Sequence, residues 1–232
     1  MDNYKRFVEW VRLLSLFGAV FVADLVLTSL KDAQAPFLVS AIVIGLVVIA
    51  TMHVLELLAT YVFERIWVVR RFFLGDEHIE GAWFDNVVGK EQFGMFAIHF
   101  RDGRLFISGE QYDATGKVTA TWEDYLVGFE GRTLHACYRA PQFSDKEPSE
   151  VYGFTKYVFG GKPGKPPTFF SGFFADLSGE CRSCQLRGFR ITDRNLLERL
   201  NMPESRSHAI LELMGKSRAL SNQPEVKLQG KE

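Results

Sequence analysis

Two long apolar runs near the start of the chain, Leu13 to Leu30 and Phe37 to about Phe63, are separated only by Lys31-Asp32-Ala33-Gln34-Ala35-Pro36. A spanning helix needs roughly 20 mostly apolar residues, so each run is long enough to cross a bilayer once. Irregular backbone in lipid strands its amide groups without partners, which leaves an antiparallel transmembrane α-hairpin over residues 13–63 as the expected solution. Lys5, Arg6 and Arg12 precede the first run, and Arg65, Arg70 and Arg71 follow the second, whereas Lys31 in the turn is offset by Asp32. The positive-inside rule then places both termini in the cytoplasm. A cleaved secretory signal fits less well, because a second, longer run comes next and no small-residue cleavage site follows the first.

Residues 1–12 mix charges with Tyr4, Phe7 and Trp10, which suits an interfacial lead at the headgroups. Within the runs, Asp24, His53 and Glu56 are costly in lipid. They are expected to reach headgroups or water, or else to face one another in an oligomer. Residues 64–75, with Arg65, Trp67, Arg70, Arg71, Phe72 and Phe73, read as a basic, aromatic collar ended by Gly75-Asp76. No Gly/Ser/Pro-rich linker follows, so the next domain is expected to be closely coupled to the helices.

From residue 76 to 191 the texture changes to short strand-like segments: Gly81 to Val88, Phe93 to Phe100, Arg104 to Tyr112, Val118 to Val127, Thr133 to Arg139, Val151 to Phe159, Thr168 to Asp176 and Cys184 to Arg190. Asp102-Gly103, Thr115-Gly116, Glu130-Gly131 and Gly160-Gly161 are hairpin signals between them. Eight antiparallel strands in one meander leave two edges unless the sheet closes, so an up-and-down β-barrel is expected, with an open sandwich as the alternative. Residues 192–216 regain helical periodicity after a cap at Thr192 or Asp193, and Pro203 starts a second helix. Residues 217–232 are polar enough to be read as a disordered tail.

Lys plus Arg is 27 against 28 for Asp plus Glu, a balance that argues against duplex nucleic acid as a partner. The five histidines show no metal-ligand spacing, and no nucleophile elbow, P-loop or dinucleotide fingerprint is present; no catalysis, cofactor or metal is expected. Cys181-x-x-Cys184 has the spacing of half a zinc site but lacks a second pair. In a cytoplasmic domain the three cysteines would stay thiols, with Cys137 filling core. What the strands do carry is rings beside positive charge. Trp122, Tyr112, Tyr138 and Tyr157, with Arg139, Lys156 and Arg187, form the candidate ligand-binding set, since flat rings stack on nucleobases and guanidinium groups grip phosphates. Aromatic residues also fill any barrel core.

Two N-terminal spans followed at once by a β-rich domain that opens Gly81-Ala82-Trp83, with Gly109-x-x-Tyr112-Asp113, Thr115-Gly116 and Trp122 further on, resemble the bacterial two-transmembrane β-barrel effectors of CBASS antiphage systems. The resemblance implies a lipocalin-like barrel, with the first-strand tryptophan plugging one end. It also implies a cyclic di- or oligonucleotide as ligand, an inner-membrane location, and assembly of a homo-oligomer that disrupts the membrane. The other reading is a membrane-tethered, lipocalin-like carrier of lipids or other hydrophobes. The two differ in their demands on the pocket: a nucleotide site asks for inward Arg or Lys beside an aromatic pair, a lipid site for a dry apolar cavity with one polar anchor at most.

Overall fold

The computed structural model describes residues 2–34, 36–101, 104–142, 149–177 and 182–221, and the chain divides into two compact units, Met1–Gly75 and Asp76–Glu232. In the first unit, α1 (Asp2–Asp32) and α2 (Phe37–Arg65) pair as a hairpin, and both are long and apolar enough to cross a membrane. Small residues make their seam: Ser15 and Ala19 are buried, and a Cβ added at Gly18 would stand 2.9 Å from Leu55. Small side chains are what allow helix backbones to approach closely in lipid. Leu14, Phe17, Phe21, Leu46 and Ile49 point away from the seam and are exposed, as lipid-facing positions should be.

The collar is not a continuation of α2. The chain breaks at Ile66, whose φ of −102° and ψ of 99° are extended, and restarts as α3 (Trp67–Leu74). Arg70 explains why the break is tolerated. Its buried guanidinium donates to the carbonyls of Phe63 and Glu64, two of the acceptors that the end of α2 leaves without helical partners. Phe7 of the lead stacks on Phe63 at 4.3 Å and meets Phe73 at 4.8 Å, so one ring cluster ties α1, α2 and α3 together.

The second unit is a closed, eight-stranded antiparallel barrel in meander order: β1 (Gly81–Val87), β2 (Phe93–Arg101), β3 (Arg104–Tyr112), β4 (Val118–Glu130), β5 (Thr133–Gln142), β6 (Ser149–Gly160), β7 (Phe169–Asp176) and β8 (Cys184–Arg190), with β1 pairing both β2 and β8. The period-two signal is plainest in β6, where Val151, Gly153, Thr155, Tyr157 and Phe159 are buried and the residues between them are less so. The turns obey local chemistry. Gly131 and Arg132 both have positive φ, as a two-residue hairpin turn that matches strand twist requires. Asp113 accepts hydrogen bonds from the Thr115 and Lys117 amides ahead of β4. The expected turn at Asp102-Gly103 lies outside the described residues.

Two helices cover part of the outer wall. Asp193 caps α4 (Arg194–Asn201) by accepting from the amides of Asn195 and Leu196. Pro203 opens α5 (Pro203–Ser221), where a missing amide hydrogen costs nothing. Leu196, Leu200, Ile210, Leu213 and Met214 bury themselves against the outward residues Phe84, Phe93 and Tyr112. The helix runs on through residues 217–221, which the sequence assigned to a disordered tail; buried Ser217 donates to Asn86 of β1 and holds this stretch to the wall.

Candidate functional site

Register decides which side chains face the barrel interior. Trp83 pairs with Phe96 and with Arg190, Asp124 with Tyr138, and Tyr157 with Leu134 and Gly172, so these positions share the inner face. One end of the interior is solid. Trp83, Phe96, Tyr157, Phe159 and Phe170 form a continuous ring cluster with centroids 4.9 to 5.8 Å apart among their closest pairs. Trp83 donates from Nε1 to the Ile79 carbonyl at 2.8 Å, and the Arg190 guanidinium lies 5.6 Å from its ring centre while donating to the carbonyls of His78 and Glu80. This is the plug expected of the first-strand tryptophan, completed by the last residue of β8.

Toward the other end the inner face changes character. Small residues line it, among them Gly94, Ala120, Ala136, Ala140, Gly153 and Gly188, and rings and carboxyls fill the room they leave. A side chain at Gly153 would occupy the place of the Tyr138 ring. One at Gly94 would run into the Asp85 carboxyl, which accepts from the Gly94 amide. The Tyr138 hydroxyl donates to Asp176, and its ring meets Phe174 edge-on at 6.4 Å. Tyr138, Ala140 and Val151 form a small core patch flanked by half-buried Trp122 and Phe174.

Three carboxyls, Asp85, Asp124 and Asp176, therefore lie on the inner face of the wall. Burial pushes Asp85 up to about 7, against the smaller opposing pull of the Gly94 amide, and pushes Asp124 up to about 8. Burial likewise raises the Tyr138 and Tyr157 hydroxyls, and the neighbouring aspartates push them further. Neither carboxylate oxygen of Asp124 has a hydrogen-bond partner among the described residues, although the residue is only 8% exposed. Buried acceptors are nearly always satisfied, so this carboxyl is the anomaly of the interior. Among the described residues no group of three or more His, Cys, Asp or Glu side chains converges closely enough to hold a metal ion.

The candidate set read from the sequence is divided by the wall. Trp122, Tyr138 and Tyr157 face inward, Tyr157 deep in the plug and the other two toward the carboxyl end. Arg139, Lys156 and Arg187 alternate with inward residues and face outward, where Arg139 is exposed and paired with Glu150 at 2.5 Å. Tyr112 also faces out; it lies under α5, donates to Glu110 and accepts from Arg206. A single cluster of rings and cations is therefore not formed. Asp85, Asp124 and Asp176, which sequence reading passed over, replace the cations inside.

Other expectations are placed as follows. His99 and His135 are exposed on the outer wall, away from the interior carboxyls. Cys137 is a free thiol, half-buried on the outer face opposite Phe154 and not in the core. Cys184 is disulfide-bonded, which replaces both the expected thiol and the half zinc site; Cys181 lies outside the described residues. A separate groove of about 580 Å³ lies outside the barrel between α4, the start of α5 and strands β2–β4, with Glu110, Glu123 and Arg206 at its polar side. Comparison with protein-family models, with curated proteins and with solved structures gave no match.

Proposed function

We propose that this chain is a membrane-anchored receptor and effector of bacterial antiphage defence. In this reading the barrel takes a cyclic di- or oligonucleotide at its carboxyl-lined end, and the hairpins of several copies then assemble and disrupt the inner membrane. The observation that carries the receptor half is the pairing of half-buried rings, Trp122 and Phe174, with Tyr138 and with Asp124, which has no partner among the described residues, on one inner face. Flat rings give a base a surface to stack on at about 1–3 kcal/mol each, and a carboxyl gives its edge an acceptor. The grip differs from the one the sequence suggested. With Arg139, Lys156 and Arg187 outside, the phosphates stay at the rim, and a base enters by displacing the Tyr138 and Trp122 rings that fill the space left by the small inner residues.

The lipid-carrier reading draws no comparable support. Two buried carboxyls, Asp85 and Asp124, with half-buried Asp176 beside them on the inner face, make a poor lining for an acyl chain, which asks for a dry apolar cavity. The effector half rests on the two apolar helices and on the layout that places them directly before the barrel. Coupling requires that the ligand favour the assembled state, since a ligand with equal affinity for both states shifts neither.

The test uses the full chain in detergent micelles. A panel of cyclic dinucleotides and fatty acids is titrated while melting temperature and chemical cross-linking are followed. A cyclic dinucleotide should raise the melting temperature, because whatever binds the folded form stabilises it, and should increase cross-linked multimers. A rise with fatty acids alone would transfer the assignment to a lipid carrier.

A further inference from the structure

Resting on the receptor reading above, we infer that Asp124 is the residue with which the barrel reads its ligand, and that the group it reads is a flat edge presenting two adjacent N–H donors. Guanine has such an edge, and so does a guanidinium.

A carboxylate is an acceptor-only group with two parallel faces for donors, and its best partner is a fork of two N–H groups in one plane. Both Asp124 oxygens are buried and without a partner among the described residues, so the site is specified for donors that these residues do not bring. The register supplies the walls for a flat group. Trp122 lies two residues before Asp124 on the same face, Tyr138 is its cross-strand partner, and Phe174 meets the Tyr138 ring. Tyr138 is fastened at its tip, through the bond to Asp176, and together with Trp122 it is what an entering ring would displace or stack on.

Charge points the same way. Among the described residues, the titratable groups that face Asp124 are Tyr138 from β5 and Tyr157 from β6, with Asp176 of β7 held by Tyr138; none of these brings a positive charge. An anion is therefore not what this position accommodates, and a donor edge is. Burial holds the empty carboxyl protonated below about pH 8, so two arriving donors that favour its ionised form expel that proton.

Substitution of Asp124 by Asn tests the assignment through a change of preference and not merely a loss. An amide offers one acceptor and one donor, the pattern that pairs with adenine and not with guanine. Calorimetric titration at pH 9, where Asp124 is ionised, of the detergent-solubilised full chain with cyclic di-GMP, cyclic di-AMP, guanosine and agmatine should show the wild type favouring the guanine dinucleotide by roughly 10- to 100-fold, the range one bidentate pair supplies. D124N should reverse the order. Glu123→Gln, on the exposed outer face next to Asp124, should leave the order as it is. Wild-type binding should also release a proton at pH 7 and none at pH 9.

Equal affinity for both dinucleotides, unchanged in D124N, overturns this inference and leaves the receptor reading standing. Binding of agmatine but of no nucleotide upholds the donor-edge assignment and overturns the nucleotide. No binding by any of the four overturns both.

Discussion

Asp85 and Asp124 make a titration argument that needs no ligand. Each carboxyl titrates higher in the folded barrel, at about 7 and about 8, than its ordinary value of 3.8. The folded state thus holds protons that the unfolded chain has already given up. Stability from this source is complete below about pH 4, falls as pH rises through the window up to 7 and 8, and levels off above it. A carboxyl whose titration midpoint rises by one pH step on folding changes stability by about 1.4 kcal/mol, so either Asn variant should be more stable than wild type at pH 8 by on the order of 4–5 kcal/mol and nearly equal to it at pH 4. Urea melts of the full chain at the two pH values check this; equal gains at both would mean the carboxyls are not desolvated in the fold. Why these aspartates escaped the sequence reading is a matter of parity. Residue type groups rings with cations at neighbouring positions, yet Tyr138 and Arg139 are adjacent and so must face opposite sides of the wall. Nothing in one strand says which neighbour faces in. Pairing across to Gly153, where only glycine leaves space for the Tyr138 ring, settles it.

At the scale of elements, the punctuation carried the fold. Turn residues placed β3 and β8 at the bounds observed, and hydrophobic alternation within them sufficed for eight strands and therefore for closure. What local pattern missed was set by partners distant in sequence. The break at Ile66 depends on Arg70 reaching back to α2, the irregular register between Asp124 and Leu126 depends on β5, and the ordered end of α5 depends on Asn86. The two C-terminal helices belong to the barrel's stability and not to its interior. Leu213 is fully buried among Phe84, Phe93 and Tyr112 on the outer wall, whereas Leu211, two positions earlier on the same helix, is 47% exposed. Leu213→Ala should destabilise the barrel by about 2–5 kcal/mol, the usual cost of emptying such a site, and Leu211→Ala by less than about 0.5 kcal/mol. Equal effects of the two in thermal melts would mean that α5 does not dock as described.

For the whole molecule, the decisive property is which side of the membrane carries the barrel. The basic flanks Lys5, Arg6, Arg12, Arg65, Arg70 and Arg71 favour the cytoplasm, where a cyclic nucleotide would be made. The disulfide at Cys184 pulls the other way, because reducing compartments keep structural cysteines as thiols. Both can hold only if this disulfide forms and breaks with the redox state around it. Cells quenched in acid and labelled with a maleimide polymer under denaturing conditions report the answer as a count. A barrel in the reducing cytoplasm should gain a label on each of the three cysteines, and one in an oxidising space, where Cys184 is bonded, fewer. A phosphatase fused after Glu232 gives an independent reading, active only if exported. Three labels with a silent phosphatase place the inner carboxyls where a cytoplasmic signal can reach them. Fewer labels with an active phosphatase would exclude a cytoplasmic nucleotide as ligand, while the donor-edge chemistry at Asp124 would then have to serve an extracytoplasmic guanidinium or base.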